Sequence, residues 1–225
     1  MSEPTDWGQK KLARTVGEQL GRQRRRVNRA LLEPVVLSAE FWDEETAYMR
    51  PPIQRELDII ARHSAEHHVG QPAMMMIDLE DVYDDVREWV RNYSFGLITG
   101  INDRTRARVA QAVEQFQTTE GMTRRDLEEM LEPSFGPSRA SMIAVTETTT
   151  AYYEGGRASI EKARQSGVEV VEVWNTNNDG LVCEICGPRH RTARYGGPQG
   201  EYKYGWEDPP PAHPRCRCWV TYELA

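Results

Sequence analysis

All four cysteines of this chain lie between residues 183 and 218, and the first 182 residues carry none. They fall into two blocks: Cys183-Glu-Ile-Cys186-Gly and, after a long loop, His213-Pro-Arg-Cys216-Arg-Cys218. A Cys-x-x-Cys turn lets two thiolates converge on one tetrahedral ion, and a second such turn closes a structural zinc site. His213-Pro-Arg-Cys216 repeats the spacing of the first turn with histidine in the leading position. The expected ligands are therefore Cys183, Cys186, His213 and Cys216. Cys218 is held in reserve, because Cys-x-Cys in an extended segment puts both thiols on one face. The choice among His213, Cys216 and Cys218 stays open at this level. Reduced cysteines in a small core, or two disulfides, are the alternatives. The intervening stretch 187–211 is rich in Gly and Pro and too polar for a packed core, so a metal staple is the reading adopted. Four or five soft ligands saturate an ion and leave no place for an activated water, so the zinc is expected to be structural. His190 reads as an exposed loop histidine, with an alternative ligand or a second-layer contact as the other option.

At 225 residues there is room for one large domain or two small ones. Hydrophobic residues at 39% and charged residues at 28% suit a globular chain rather than a disordered one. No apolar stretch approaches the roughly 18–20 residues of a membrane helix. No basic segment precedes an apolar one at the start, so the expectation is a protein made and used in the cytosol, with no membrane partner. A net charge of -7 argues against a dedicated nucleic-acid binder. Arg22, Arg24, Arg25, Arg26 and Arg29 nevertheless form a basic run, and 78–88 an acidic one. Both read as solvated helix surface, with a nucleic-acid contact as the sharper reading of the arginines.

Helices are expected over 10–32, then over a short segment capped by Ser38 that carries Phe41 and Trp42 and is broken by Pro51-Pro52. The next, over 53–69, places Ile53, Leu57 and Ile60 on one face. After a break at 70–72, a helix over 73–93 spaces Val82, Val86 and Val90. A separate helix starting at Asn102 or Asp103 repeats Val109, Ala112, Val113 and Phe116. Thr123-Arg-Arg-Asp126 has the form of a capping box ahead of Leu127, Met130 and Leu131. Ser138 is placed to cap a long helix to 165, although Val145-Thr-Glu-Thr-Thr-Thr150 and Gly155-Gly156 are poor helix formers. Beyond Gly167, residues 168–174 and 217–224 read as strands. In the second, Cys218, Val220 and Tyr222 alternate with Trp219, Thr221 and Glu223. The fold class is α+β: a mainly α-helical body followed by a small C-terminal zinc-stapled β module.

From about 97 to 218 the sequence resembles the phage Mu F-like head-morphogenesis family. The matching residues are Ile98-Thr-Gly-Ile-Asn102, Thr123-Arg-Arg-Asp-Leu127, then Arg139-Ala140, Ile143-Ala144 and Thr146-Glu147-Thr148. Trp174, Asp179 and Val182-Cys183-x-x-Cys186 follow, and last Pro209-Pro210-Pro211-Ala-His213-Pro-Arg-Cys216-Arg-Cys218, the most specific block. Val145, the turn Gly187-Pro-Arg-His190 and the paired Gly155-Gly156 depart from the family pattern. The resemblance implies a low-copy minor capsid protein at the portal vertex, acting in head assembly or DNA ejection. Its partners would be the portal protein, the major capsid protein or both, with packaged DNA as a further candidate. It would occupy the capsid interior of the virion and the host cytoplasm during assembly. Residues 1–95 would be a variable helical docking region, 96–167 the helical core of the Mu F-like domain, and 168–225 the zinc-binding β module. Some relatives carry a C-terminal ADP-ribosyltransferase or toxin domain; none is expected here, since the chain stops at Ala225, just past the last strand.

Two other readings compete with a non-enzymatic head protein. His63-Ser-Ala-Glu66-His67 fits the H-x-x-E-H metalloprotease pattern, with Glu147 as a conceivable third ligand. Only three positions are fixed in that pattern, so chance produces it easily, and no protease architecture surrounds it. The second is a zinc-dependent nucleic-acid-binding module or nuclease, suggested by Arg189, Arg191, Arg194, Arg215 and Arg217 around the cysteines. A nuclease would also need a carboxylate site for a hard metal, which the sequence does not assemble. No catalytic residue is therefore assigned.

Overall fold

A computed structural model of the chain describes residues 5–31, 37–70, 76–194 and 205–224. The first helix, α1 (Asp6–Ala30), buries Leu12, Val16, Leu20, Gln23 and Val27 along one stripe. The second, α2 (Ala39–Val69), starts at Ser38, whose hydroxyl accepts from the Phe41 N–H at 3.3 Å. It does not break at Pro51-Pro52; both prolines lie inside it. Each costs about 3 kcal/mol in a helix interior. Met49, Ile53, Leu57 and Ile60 flank them and are at most 2% exposed. Burying four such side chains returns about 1.5–3 kcal/mol each, enough to outweigh the two prolines. The carbonyls that lose their donors belong to Ala47 and Tyr48, both on the exposed side of the helix, where water reaches them.

The two helices expected over 73–93 and from 102 onward are one, α3 (Leu79–Thr118). Asp78 caps it, accepting from the Glu80 N–H at 2.9 Å. The buried stripe Val82, Val86, Val90, Ser94, Ile98, Ile101, Thr105, Val109 keeps helical phase through Gly96 and Gly100, and tertiary packing overrides the two glycines. Asn102 is not a cap. It is 3% exposed, accepts from the Gln23 amide at 2.8 Å and donates to the Thr46 hydroxyl at 2.8 Å, joining α1, α2 and α3.

The short α4 (Arg124–Leu131) carries the expected capping box: Thr123 accepts from the Asp126 N–H, and Asp126 from the Thr123 N–H. The last helix, α5 (Pro137–Gln165), is capped at Gly136 rather than at Ser138. The run 145–150 stays helical, with Thr148 and Thr149 buried. A Cβ at Gly155 would overlap the carbonyl of Ala61, so glycine is required where α5 crosses α2. The main core draws on α1, α2, α3 and α5 together, and residue 95 falls within α3. The basic run on α1 is only partly solvated surface. Arg22 and Arg26 hold the fully buried Glu45 at 2.8 and 3.0 Å.

The C-terminal sheet has strand order β3-β2-β1-β4. Its long antiparallel pair is β1 (Val170–Asn175) and β4 (Trp219–Leu224), with Trp174 opposite Val220. Two-residue strands β2 (Ala193–Arg194) and β3 (Gly205–Trp206) extend it, β2 antiparallel to β1 and β3 parallel to β2. The alternation expected along β4 is observed, and it is Val220 and Tyr222 that are buried, whereas Thr221 and Glu223 are not. With Val170 and Trp174 they pack on Tyr153, Ile160 and Ala163 of α5. Part of the expected 187–211 loop, residues 195–204, lies outside the described residues.

Candidate metal centre

The two cysteine blocks fold into matching turns. The Cys186 N–H donates to the Cys183 carbonyl at 3.2 Å, and the Cys216 N–H to the His213 carbonyl at 3.1 Å. Each turn therefore presents its first and fourth side chains together. His213 Nε2 lies 3.1 Å from the Cys183 Sγ and 3.3 Å from the Cys186 Sγ, and the Cys186 and Cys216 sulfurs are 3.8 Å apart. A tetrahedron with bonds of about 2.3 Å to sulfur has edges of about 3.8 Å, so this spacing suits ligands of one ion. It excludes a disulfide between Cys186 and Cys216, and all four cysteines are free thiols.

Two triads of ligand atoms arise, each within 4.8 Å: Cys183, Cys186 and His213, and Cys186, Cys216 and Cys218. Cys186 belongs to both. All five predicted ligands are thus brought together, with Cys218 on the side of Cys186 and Cys216. Three sulfurs are deeply buried, at 2% for Cys186, 1% for Cys216 and 5% for Cys218. The thiol of Cys218 hydrogen-bonds to Cys216, which draws Cys216 down to about 5 and holds Cys218 up. Burial pushes Cys186 up to about 12. Three thiols and an imidazole are the donor set that a zinc ion takes. The His213 ring is set for it: Nδ1 donates to the Pro214 carbonyl at 2.8 Å, which leaves the Nε2 lone pair facing the sulfurs.

The second turn is fastened to α5. The Thr149 hydroxyl donates to the Cys216 carbonyl at 2.7 Å, and the Arg215 N–H donates to the Thr146 hydroxyl at 2.9 Å. Arg215 also reaches the Ser138 carbonyl at 3.0 Å and its hydroxyl at 2.9 Å. The β-branched run that weakens helix propensity therefore supplies the threonines that seat the site. Sequence reasoning missed this role; the signal was the density of hydroxyls in a segment expected to be helical. Asp179 joins the blocks from the other side. Its carboxylate accepts from Arg217 at 2.8 and 2.9 Å and caps the Leu181 N–H at 3.0 Å.

His190 is neither a member of these triads nor a free loop side chain. It is half-buried, and its Nδ1 accepts from the Thr176 N–H at 3.1 Å. The five arginines around the site are engaged. Arg189 stacks over Trp174, Arg191 pairs with Glu223 and Arg194 with Glu172, while Arg215 and Arg217 are held as described. In the H-x-x-E-H segment His63 packs edge-on against Trp7, and Glu66 accepts from the Tyr83 hydroxyl at 2.5 Å. Glu147 is buried on α5 and accepts from the Tyr93 hydroxyl at 2.5 Å. Among the described residues, His63, Glu66, His67 and Glu147 form no group able to share an ion.

The fold and site define a helical protein whose last helix carries a β appendage with a Cys/His cluster able to hold a metal ion. The model of the family described as "Phage Mu protein F like protein" matches residues 103–221, from the middle of α3 to the last strand, which is more than half of the chain. This chain belongs to that phage Mu F-like family of head-morphogenesis proteins. No curated protein and no solved structure matches it. No described helix is long and apolar enough to cross a membrane.

Proposed function

We propose that the chain is a low-copy minor head protein of the portal vertex, structural rather than enzymatic, with one zinc ion held by Cys183, Cys186, His213 and Cys216. The observation that carries the structural reading is the pair of matched turns crowding soft donors onto the buried Cys186. Such a set saturates an ion and leaves no place for substrate or an activated water. His213 and Cys216 share a turn, which favours them over Cys218. Cys218, at the foot of β4, acts as a hydrogen-bond donor to the Cys216 sulfur. The nucleic-acid reading of this module loses its support, because its arginines are already committed to Trp174, Glu223, Glu172, Ser138 and Asp179.

Membership in the phage Mu F-like family supports capsid-assembly partners, and portal or major capsid protein would be contacted in the assembled head. Cross-linking mass spectrometry on procapsids tests this, with Lys10 and Lys11 of α1 and Lys162 of α5 as reporters. Links to portal protein are expected, together with one zinc per chain by elemental analysis. Links confined to the major capsid lattice would remove the portal assignment, and metal-free folded protein would remove the zinc. Particles lacking the protein separate the two roles: failure to form heads indicates assembly, and full heads that do not deliver DNA indicate ejection.

A further inference from the structure

The prolines inside α2 coincide with a feature that the head-protein reading does not use. Between α2 and α3 lies an open groove of about 700 Å³, lined by Arg50, Arg55, Arg87 and Arg91 along with Ala47, Pro51, Gln54, Asp58 and Val90. Four guanidinium groups face one carboxylate there, on a chain whose net charge is -7. Asp58 is already paired with Arg62 at 2.9 Å, and Arg87 with Asp84 on its outer side.

The remaining three cations have no carboxylate partner among the described residues. Arg50 is positioned by neutral groups alone: Nη2 donates to the Arg91 carbonyl at 2.9 Å, Nε reaches the Ser94 hydroxyl at 3.4 Å, and the guanidinium lies 5.5 Å from the Phe95 ring centroid. Arg55 and Arg91 make no side-chain hydrogen bond or ion pair among the described residues. Exposed arginines on other helices are paired with acids, as at Arg14–Glu18, Arg124–Glu128 and Arg125–Glu129, which these three are not. Like charges held together without counterions repel one another, and a concave wall concentrates their field. Planar forked donors match phosphate oxygens. Arg50 is fixed and its charge uncompensated, with two free arginines beside it and Phe95 exposed at the rim.

We infer that this α2–α3 groove is a phosphate-binding site, and that its ligand is the phosphodiester backbone of a nucleic acid, held by Arg50, Arg55 and Arg91 without base readout. The site lies on the helical body and does not depend on the metal centre.

The test uses full-length protein and a labelled DNA duplex, with anisotropy followed over rising salt. Arg55→Gln/Arg91→Gln removes two exposed, unpartnered charges and should leave the melting temperature unchanged. Duplex affinity is expected to fall on the order of tenfold or more at low salt, and the slope of log affinity against log salt to flatten by about 2. Arg124→Gln/Arg125→Gln on α4, whose charges are paired with Glu128 and Glu129, is the control and should change neither. If the parent ignores duplex but inorganic phosphate or triphosphate raises its melting temperature, and Arg55→Gln/Arg91→Gln abolishes that rise, the phosphate site stands and its source is free phosphate. Equal duplex binding by parent and Arg55→Gln/Arg91→Gln, or no response to either probe, overturns the proposal.

Discussion

In the helical body, Leu12, Val16 and Leu20 of α1 meet Met49, Ile53 and Leu57 of α2 over α5, all of them 0% exposed. In the C-terminal module the buried apolar set is Val170, Val171, Val173, Trp174, Ala193, Trp206, Val220 and Tyr222, joined by Cys186, Cys216 and Cys218. Two of its four strands are two residues long. The body therefore has long apolar stripes that pay for their own ordering. The module's buried apolar set is small beside that of the body, and it falls in the size range where a cross-link replaces core. One helix serves both: α5 gives one face to α2 and seats the second knuckle with Thr146 and Thr149.

The sharpest way to break this contrast is to remove the sulfur common to both triads. Cys186→Ser should release zinc and collapse the near-UV signal of Trp174 and Trp206 while the far-UV helical signal persists. Structural zinc contributes on the order of 10 kcal/mol to small domains of this kind, so the module should not survive at ordinary temperatures. Cys218→Ser should keep its zinc. If Cys186→Ser melts with the parent at all wavelengths, the module does not depend on a metal.

The next effect strikes the body alone. A Cβ at Gly155 overlaps the Ala61 backbone, and backbone cannot move as a side chain can. Gly155→Ala should cost about 3 kcal/mol or more in urea unfolding. At Gly156 a Cβ would meet the Tyr222 ring at 2.8 Å, and that contact joins body to module. Gly156→Ala should cost about 1–2 kcal/mol, felt first in the module. Equal losses at both positions would mean that the two regions unfold as one.

These glycines show where the sequence was legible. The H-x-x-C knuckle, the capping box at Thr123 and Asp126, and the alternation along β4 are local patterns, and each appears in the structure. Pro51-Pro52 and the gap read between 93 and 102 misled, because their outcome was decided by burial against neighbouring helices, which no local window contains. The roles of Thr149, Asp179 and Arg139 were hidden for the same reason. Arg139, for instance, reaches the Ile101 carbonyl at 3.0 Å across α3. The groove arginines stand apart in sequence, at 50, 55 and 91, and only helix packing gathers them.

Two buried titratable groups give the regions opposite responses to acid. Glu147, at the α3–α5 contact, is raised by burial to about 7. A raised carboxyl binds its proton more tightly in the folded state, so its contribution grows as pH falls from about 7 toward 4.5. His68, under Tyr222 at the body–module contact, is lowered by burial to about 4. Its contribution is present above 6.5 and is lost as pH falls through that window. Each amounts to about 3 kcal/mol at most, and in the parent they offset one another. Against the parent, Glu147→Gln should lose relative stability as pH drops from 7 to 5.5, and His68→Asn should gain it. Differences that do not vary with pH would show that neither group titrates in this range.

The smallest effect tests why α3 is continuous. Gly96 and Gly100 sit in the middle of a helix of 40 residues, and a Cβ at either would meet nothing within 4 Å. Neither glycine is required by a close approach, so each only loosens the helix in the segment that the sequence suggested as a break. Alanine there restricts the unfolded chain at no steric cost. Gly96→Ala and Gly100→Ala should each stabilise the protein by about 0.5–1 kcal/mol, and the two should add. Because the gain acts on the helical body, the midpoint of helical unfolding should rise in urea by the same amount in the parent and in a Cys186→Ser background, where the module is already unfolded. A loss of stability at either position would mean that α3 must bend there, and that the flat packing of Ser94, Ile98 and Ile101 on α2 and α5 is not its resting state.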